Sequence, residues 1–267
     1  MIPDPEKVRL WQARAAAYDS YCRRWEIFSL LSARLIDMLP ADVSGTVLDI
    51  GAGSGLTTEL LLARRPRCDS ILIEPSPAML DIARVTLAGR PAQFLVMGLD
   101  QAIQRDLHAV GALSSAAFQY LDLGQAFGAL ARVLPQGRYF AFNLWYHHWE
   151  ETAHGPGMHG WLPIAQAACR EAHLPPVDPA VPSAPPKTRA ELTRACREHG
   201  FDLVSEYRDS DRVEVVAGVE FQAMAPGWPA KGLAVEKRQA LLQRMHQIAD
   251  GATETVVSTR FLLRKTA

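Results

Sequence analysis

Five apolar, strand-like segments alternate with helical segments between residues 45 and 146, and this alternation limits the fold more than any other feature. The strand-like segments are TVLDI, SILIEPS, AQFLVM, AVGALSSA and GRYFAFNLWY. Helical segments such as LTTELLLARR and LGQAFGALARVL lie between them. Alternating strands and helices are typical of a parallel sheet with right-handed crossovers and helices on both faces. The sequence therefore predicts an α/β, doubly wound, Rossmann-like fold.

The segments on either side of this core extend the prediction. From Val8 to Leu39 large apolar residues recur at three- and four-residue steps, which predicts an amphipathic helix that ends at Pro40. After Tyr146 come a polar stretch, a short helix in WLPIAQAACREAH and a proline-rich loop, LPPVDPAVPSAPPK. TRAELTRACREHGF predicts another helix, and two strand-like segments, DLVSEYRDSDRVEVV and ETVVSTRFLLRK, flank a helical stretch. We expect a seven-stranded, mostly parallel sheet with an antiparallel terminal strand, an N-terminal helical lid and a helical insertion between the last two strands.

Composition argues against several classes of partner. The chain has 267 residues and a formal net charge of −1, with no basic run of the kind that binds nucleic acid or an anionic membrane. No apolar run approaches the roughly 18 residues of a membrane span. The first residues, MIPDPEKVRLWQAR, carry charges where an export signal needs an apolar core. Four scattered cysteines without a CxxC motif suit reduced thiols, so we expect a cytoplasmic protein.

The segment VLDIGAGSG, Val47 to Gly55, places a glycine turn directly after the first strand of the core. Ligands of open parallel sheets bind at the carboxyl ends of the strands, so the turn marks a ligand site. A dinucleotide fingerprint reads GxGxxG, but Leu56 stands where its last glycine is expected. A triphosphate-binding loop needs a following Lys-Ser/Thr pair, which is also absent. The pattern favours a ligand without phosphates.

Two acidic residues accompany the turn. Asp49 lies in an otherwise apolar strand end, where a carboxylate is costly without hydrogen-bond donors. Glu74 ends the second strand, roughly 20 residues further on, where an acid accepts from both hydroxyls of a ribose. The alternatives are a capping or turn-closing role for Asp49 and an ordinary helix-entry acid at Glu74. Together with the strand pattern, the two acids favour a ribose-bearing ligand.

Several motifs resemble those of class I S-adenosylmethionine-dependent methyltransferases. VLDIGAGSG resembles the family's first motif, LIEPSPAML the second, and SSAAFQYLD with GRYFAFNLW the later ones, over a region from Tyr18 to Asn143. The resemblance implies that S-adenosylmethionine is the cofactor and S-adenosylhomocysteine the product. It also implies cofactor-binding roles for residues of these motifs: Asp49 toward the amino group, Gly51, Ala52 and Gly53 toward the amino acid part, Glu74 toward the ribose, Pro75, Ser76 and Met79 toward the adenine, and Ser114 and Ser115 along the cofactor.

The sequence departs from the family after the third strand. The family often has an acid there that accepts from the adenine amino group, whereas MGLDQA places Leu99 in that position and Asp100 one residue later. Either Asp100 moves in through a local shift, or Leu99 packs on the adenine ring while backbone groups bind its edge. Both residues are candidates for the cofactor site.

Candidates for chemistry and substrate binding lie on the loops over the strand ends, because in-line methyl transfer needs the nucleophile about 3 Å from the methyl group. We consider Tyr18, Asn143, His147 and His148 for the catalytic roles, with a histidine as general base. Four further side chains are candidates to bind the substrate: Tyr21, Gln119, Tyr120 and Trp145. Phe221, Met224 and Trp228 would form an apolar roof over it. The spacing in HHWEETAHGPGMH matches no closed metal site, so no metal is expected.

These observations predict one methyltransferase domain over residues 1–267. It comprises a helical lid (1–40), a cofactor-binding core (41–146), a loop and helix over the active site (147–190), and a C-terminal part with the last helix, strands and insertion (191–267). The expected reaction is in-line methyl transfer to a small-molecule metabolite or natural-product intermediate. Two alternatives keep the cofactor: a non-methylating reaction such as intramolecular alkylation or cyclisation, and a catalytically silent accessory protein. A NAD-dependent oxidoreductase is disfavoured by Leu56.

Overall fold

A seven-stranded mixed sheet forms the centre of the protein in the computed structural model, which describes residues 5–105, 107–153, 157–175, 185–224 and 233–266. The strands are β1 (Gly45–Ile50), β2 (Cys68–Glu74), β3 (Ala92–Val96), β4 (Gly111–Ser114), β5 (Tyr139–Trp145), β6 (Phe201–Glu214) and β7 (Thr253–Lys265), in the spatial order β3-β2-β1-β4-β5-β7-β6. β1 to β5 pair in parallel, whereas β7 runs antiparallel to both β5 and β6. The predicted mostly parallel sheet with an antiparallel terminal strand is confirmed.

Ten helices in the described part of the chain surround this sheet. They are α1 (Pro5–Arg24), α2 (Glu26–Met38), α3 (Leu56–Arg64), α4 (Pro77–Thr86), α5 (Leu99–Ala102), α6 (Leu123–Val133), α7 (Trp161–Glu171), α8 (Arg189–His199), α9 (Val215–Ala223) and α10 (Val235–Ala249). Among the described residues, no helix is both long and apolar enough to cross a membrane.

Helices cover both faces of the sheet because side chains alternate along each strand. In β5, Phe140 and Phe142 join a core with residues of α6 and α8, whereas Ala141 belongs to a second core with Leu35 and Ile36 of α2. All five residues are essentially inaccessible to solvent. Both faces of the central strands are therefore buried, which accounts for their continuous apolar sequences.

The N-terminal segment forms two helices, where the apolar pattern predicted one from Val8 to Leu39. The break is at Trp25, whose backbone is extended, with φ −104° and ψ 114°. Its indole N–H donates to the carboxylate of Glu220 on α9 over 2.7 Å, a contact between residues far apart in sequence. The break lets α1 pack on α4 while α2 packs on α3 and β5. Helix α2 is thus part of the core, and α1 is the segment that covers the ends of the strands.

The predicted helical insertion between the last two strands is confirmed as α9 and α10. These helices pack with α7 around a separate apolar cluster that includes Trp161, Val219 and Met245. Phe221 and Met224, expected in a roof, are partly buried against the cluster that contains Tyr21 and Phe28. Trp228 and most of the proline-rich loop lie outside the described residues.

Candidate functional site

A cavity of about 260 Å³ lies at the carboxyl ends of β1, β2 and β4, next to the point where the strand order reverses. This is the place where open α/β sheets bind ligands. The lining is contributed by α1 and α2 (Val8, Trp11, Tyr18, Cys22, Phe28, Ser32), by the end of β1 and α3 (residues 50–54, Leu56, Thr57), by the end of β2 and α4 (Ile73, Glu74, Pro75, Met79), by residues 97–100, by residues 115–117 and 120–122, and by Gln125, Ala126 and Ala129 of α6.

The glycine turn forms one wall of the cavity. Gly51 and Ala52 donate their backbone N–H groups to the carbonyl of Ile73, over 2.8 and 3.3 Å, which ties the turn to β2. Gly51 and Gly53 both have positive φ values, of 67° and 54°. The backbone of this turn therefore faces the cavity with little side-chain cover, as the sequence predicts for close approach of a ligand.

Glu74 joins the turn to the end of β2. Its Oε2 accepts from the backbone N–H of Gly53 over 3.1 Å, and its Oε1 accepts from the backbone N–H of Ser76 over 2.9 Å. The side chain is buried but lines the cavity, and burial raises the pKa of its carboxyl although both N–H groups act in the opposite direction. Each oxygen keeps a further lone pair, so the carboxylate can accept two more hydrogen bonds from a ligand.

Asp49 lies behind the turn, outside the lining of the cavity. Its Oδ2 accepts from the hydroxyl of Thr58 over 2.7 Å, and the backbone N–H of Thr58 donates to the same carboxyl group. Because Thr58 is in the first turn of α3, this is the capping arrangement that the sequence left open as an alternative. Burial raises the pKa of Asp49 to about 6 despite these two donors. The proposed contact of Asp49 with the cofactor's amino group stays a prediction.

Replacing Asp49 by asparagine should remove a pH dependence of stability. The folded chain binds this proton at about pH 6, whereas an unfolded aspartate binds it near pH 4. The free energy of unfolding contributed by this group therefore rises as the pH falls from 7 to 4, by about 2–3 kcal/mol. Urea unfolding of the wild type and Asp49→Asn across this range measures the difference. Asp42→Asn, at an exposed position before β1, is the control, and parallel profiles for wild type and Asp49→Asn would contradict the assignment.

Four of the five residues expected at the adenine end lie together in the lining; Ser76 is outside it, because it is buried as the N-cap of α4, where its hydroxyl accepts from the backbone N–H of Met79. Pro75 and Met79 approach from the end of β2 and the start of α4, and Leu99 and Asp100 approach from α5. Leu99 is buried and packs in the main core. Both residues at the position where this chain departs from the family therefore border the cavity.

The turn after β4 is held by two amides that do not themselves line the cavity. Asn143 on β5 accepts the backbone N–H of Ala116 at its Oδ1, over 2.7 Å, and Gln119 donates to the carbonyl of Ala116 over 2.6 Å. Ala116 has a positive φ of 54°, unusual for a residue with a side chain. Ser114 is also outside the lining, because its hydroxyl donates to the carbonyl of Ile50. Asn143 and Gln119 thus position a turn whose residues border the cavity.

Of the other catalytic and substrate candidates, the structure brings Tyr18 and Tyr120 into the lining. His147 and His148 lie on a 3₁₀ turn after β5, away from the lining, with their rings 3.9 Å apart. Burial, and then the nearby His159, lower the pKa of His147 to about 4. Tyr21 and Trp145 belong to the apolar cluster behind Phe28.

Several lining residues were not predicted from the sequence. The apolar pattern of the N-terminal segment predicts only helix packing for Trp11 and Phe28, and no motif indicates a site role for Cys22, Ser32 or Thr57. Ser32 is a buried hydroxyl on the apolar face of α2, between Phe28 and Leu35. A polar residue within a buried helix face is the signal that would have identified it. Among the described residues no group of three His, Cys, Asp or Glu side chains is arranged to hold a metal ion, and His154 lies outside them.

Comparison with known proteins shows similarity to methyltransferases. Residues 47–137 match the model of a methyltransferase domain family. A malonyl-[acyl-carrier protein] O-methyltransferase of Acetivibrio thermocellus is 29% identical over 136 residues, which cover 50% of this chain and 47% of that protein. An uncharacterized methyltransferase of Mycobacterium tuberculosis is 36% identical over 105 residues, or 39% of this chain and 41% of that protein. The chain thus spans about half the length, or less, of these relatives.

Solved structures agree on the fold. The crystal structure of mycolic acid cyclopropane synthase CmaA1, complexed with S-adenosylhomocysteine and CTAB, aligns with a TM-score of 0.60 at 14% identity and covers 97% of this chain and 98% of its own. That likeness extends to the N-terminal helices and the last strands, beyond the region of sequence similarity. The matched residues 47–137 include the glycine turn and the acid at the end of β2, so this part of the chain is similar to a methyltransferase domain, on a fold shared with the solved structure.

Proposed function

We propose that this chain transfers a methyl group from S-adenosylmethionine to a small, mainly apolar acceptor that carries no phosphate or carboxylate. The observation that carries the proposal is the composition of the cavity, in which an aromatic wall lies beside the glycine turn and Glu74.

The residues of the cavity fit the cofactor. Glu74 presents a buried carboxylate with free lone pairs, as a ribose diol requires. A Cβ atom at Gly53 would meet no atom of the chain within 4 Å, so the space beside this backbone is open. Pro75, Met79 and Leu99 supply apolar surface for an adenine ring. When bound, the cofactor supplies a methyl group activated by the positive sulfur.

The acceptor end of the cavity is aromatic. The ring centroid of Trp11 lies 5.0 Å from that of Tyr18 and 6.2 Å from that of Tyr120, and Tyr18 lies 5.8 Å from Phe28. Aromatic faces attract cations, by roughly 0.5–2 kcal/mol each, so this wall suits a sulfonium beside an apolar acceptor.

The charges of the side chains that line the cavity further restrict the chemical class of the methyl acceptor. No Lys, Arg or His side chain is among the described residues that line the cavity. Arg14 lies over the Trp11 ring and is outside the lining. An anionic acceptor would therefore be buried without a cationic partner, which is costly. Burial also raises the pKa of Tyr18 well above its usual value, so its phenol stays protonated and serves as a donor, not as a base. This composition favours an acceptor that reacts as a neutral amine, because such a nucleophile needs no buried base.

Methyl transfer to matched small aromatic compounds tests the proposal. The wild-type chain is incubated with methyl-labelled S-adenosylmethionine and 2-phenylethylamine, 2-phenylethanol or phenylacetate as probes. We expect label in the amine at a rate well above that of the alcohol, and none in the carboxylate. Methylation of phenylacetate would contradict the proposal. The proposal would also be contradicted if none of the three probes and no longer-chain amine were methylated. Formation of methylthioadenosine without an acceptor would favour the cyclisation alternative, and tight cofactor binding without any turnover would favour the accessory role.

A substitution in the aromatic wall gives a second test of the acceptor site. Trp11→Ala removes a ring that contacts both Tyr18 and Tyr120, so we expect kcat/KM for the amine to fall about 10- to 100-fold. Affinity for S-adenosylhomocysteine, measured by calorimetry, should change less than about threefold because the ribose and adenine contacts are untouched. Tyr207→Ala on the exposed edge of β6 is the control. Unchanged kcat/KM in Trp11→Ala would place the acceptor elsewhere.

A further inference from the structure

Three hydroxyl groups from separate parts of the chain meet in one row at the cavity. Ser32 of α2 lies at its centre, with its Oγ 2.9 Å from Oγ1 of Thr57 on α3 and 3.1 Å from Oγ of Ser115 after β4. All three residues line the cavity, and Ser32 and Thr57 are 2% and 7% exposed. The fold brings the residues together from positions 32, 57 and 115, and no sequence motif joins them. We refer to them as the hydroxyl row.

The direction of the hydrogen bonds leaves one donor for a ligand. Ser32 donates its proton to Ser115. Because a serine hydroxyl has a single proton, the contact between Ser32 and Thr57 must use the proton of Thr57. The hydroxyl proton of Ser115 is then the end of the row and is available to an acceptor in the cavity. Hydrogen bonds in such a chain polarise one another, which strengthens this last donor.

The surroundings of the hydroxyl row favour a ligand group that is a negatively charged hydrogen-bond acceptor. Leu56 and Thr57, the first residues of α3, line the cavity, and the N-cap Gly55 has no side chain to cover the amino end of this nine-residue helix. The helix dipole is positive there. With no cationic side chain in the described lining, an anionic group of a ligand depends on neutral donors of this kind.

We propose that the hydroxyl row, through Ser115, binds the α-carboxylate of S-adenosylmethionine without a salt bridge. This inference rests on the proposed function, which requires the cofactor in this cavity, and adds the group that holds its amino acid end. Glu74 and the hydroxyl row then hold opposite parts of one molecule: a diol at the carboxylate of Glu74 and a carboxylate at the hydroxyl of Ser115. Ser32 is a positioning residue, because it acts on the ligand through Ser115.

Two ligands that differ in the amino acid end test the inference. S-adenosylhomocysteine has the α-carboxylate, whereas 5′-methylthioadenosine lacks it and keeps the adenine, ribose and sulfur. Calorimetry with Ser115→Ala should show about tenfold weaker binding of S-adenosylhomocysteine, as expected for a lost hydrogen bond to a charged group. Binding of 5′-methylthioadenosine should stay within about twofold of the wild type. Ser32→Ala should give the same pattern with a smaller loss. Ser29→Ala, on the same helix but outside the lining, is the matched control.

The double variant distinguishes hydroxyl groups that act through one another from hydroxyl groups that act independently on the ligand. If Ser32 acts through Ser115, Ser32→Ala/Ser115→Ala binds S-adenosylhomocysteine as Ser115→Ala does, within about twofold. Equal losses for both ligands, or no loss for either, would overturn the assignment. Should Ser32→Ala fail to fold, Ser115→Ala at the less buried end of the row decides alone. Failure of the wild-type chain to bind either nucleoside would instead remove the proposed function, so the two failures are distinguishable.

Discussion

Replacing Glu74 by alanine is expected to weaken binding of S-adenosylhomocysteine by about 100-fold or more. Two hydrogen bonds from ribose hydroxyls to a carboxylate are each worth about 1.5–3 kcal/mol, and both are lost. The variant also leaves the backbone N–H groups of Gly53 and Ser76 without their acceptor, so the glycine turn is then held to β2 only by the hydrogen bonds of Gly51 and Ala52 to Ile73. Isothermal calorimetry with the wild type and the variant measures the effect directly.

A second substitution and a control make the Glu74 result specific. Glu74→Gln keeps one oxygen, but its amide N–H₂ faces a backbone N–H in either orientation, so we expect a loss of about tenfold or more. Asp81→Ala, an exposed position on α4, should bind as the wild type does. Binding by Glu74→Ala within threefold of the wild type would show that the ribose does not depend on this carboxylate.

The positions of the core strands along the chain could be predicted from the sequence because the central strands β1, β2, β4 and β5 are largely buried. TVLDI and SILIEPS are short apolar runs that end in turn residues, and this composition is typical of the buried strands of a parallel sheet. The glycine turn and Glu74 follow from the same logic, since ligands of such sheets bind where the strands end. Local sequence therefore predicts that the glycine turn and Glu74 border one cavity, as they do in the structure.

The break of the N-terminal helix could not be predicted in this way. The apolar period of three and four residues continues from Tyr21 through Trp25 to Phe28 without a proline or glycine. The interruption depends on the contact between Trp25 and Glu220, which are 195 positions apart in the chain. Helical propensity is a weak preference that such tertiary contacts override.

The loop after β5, where the sequence predicts catalytic groups, was the least predictable part. NLWYHHWEE contains many polar letters, and its histidines were expected at the mouth of the cavity. In the structure this stretch turns inward, with Trp149 fully buried against Phe261 and His148 only 2% exposed. A parallel bridge between Trp149 and Lys187 holds the stretch in place. The direction of a loop is set by such packing, whereas its composition alone predicted exposure.

Two neighbouring glycines of the turn should respond differently to the same substitution. In Gly51→Ala the new Cβ would lie 2.5 Å from the Cβ of Ala117, and the backbone has φ +67°. Positive φ costs about 1–2 kcal/mol for a residue with a side chain, and an overpacked contact costs about 1–3 kcal/mol. We expect Gly51→Ala to lower the free energy of unfolding by about 2–5 kcal/mol, as measured by urea unfolding without ligand.

Gly53→Ala should change the free energy of unfolding little and should weaken the binding of S-adenosylhomocysteine. Its backbone has φ +54°, but the added Cβ would meet no atom within 4 Å, so only the conformational cost of about 1 kcal/mol applies. The backbone N–H that Glu74 accepts is kept in this variant. If the cofactor lies against this backbone, the methyl group occupies space that the ligand needs, and affinity for S-adenosylhomocysteine should fall about 30-fold or more. Wild-type affinity in Gly53→Ala would mean that the ligand does not approach the turn, whatever the cost of Gly51→Ala. The pair therefore separates a glycine required by the fold from a glycine required by the ligand.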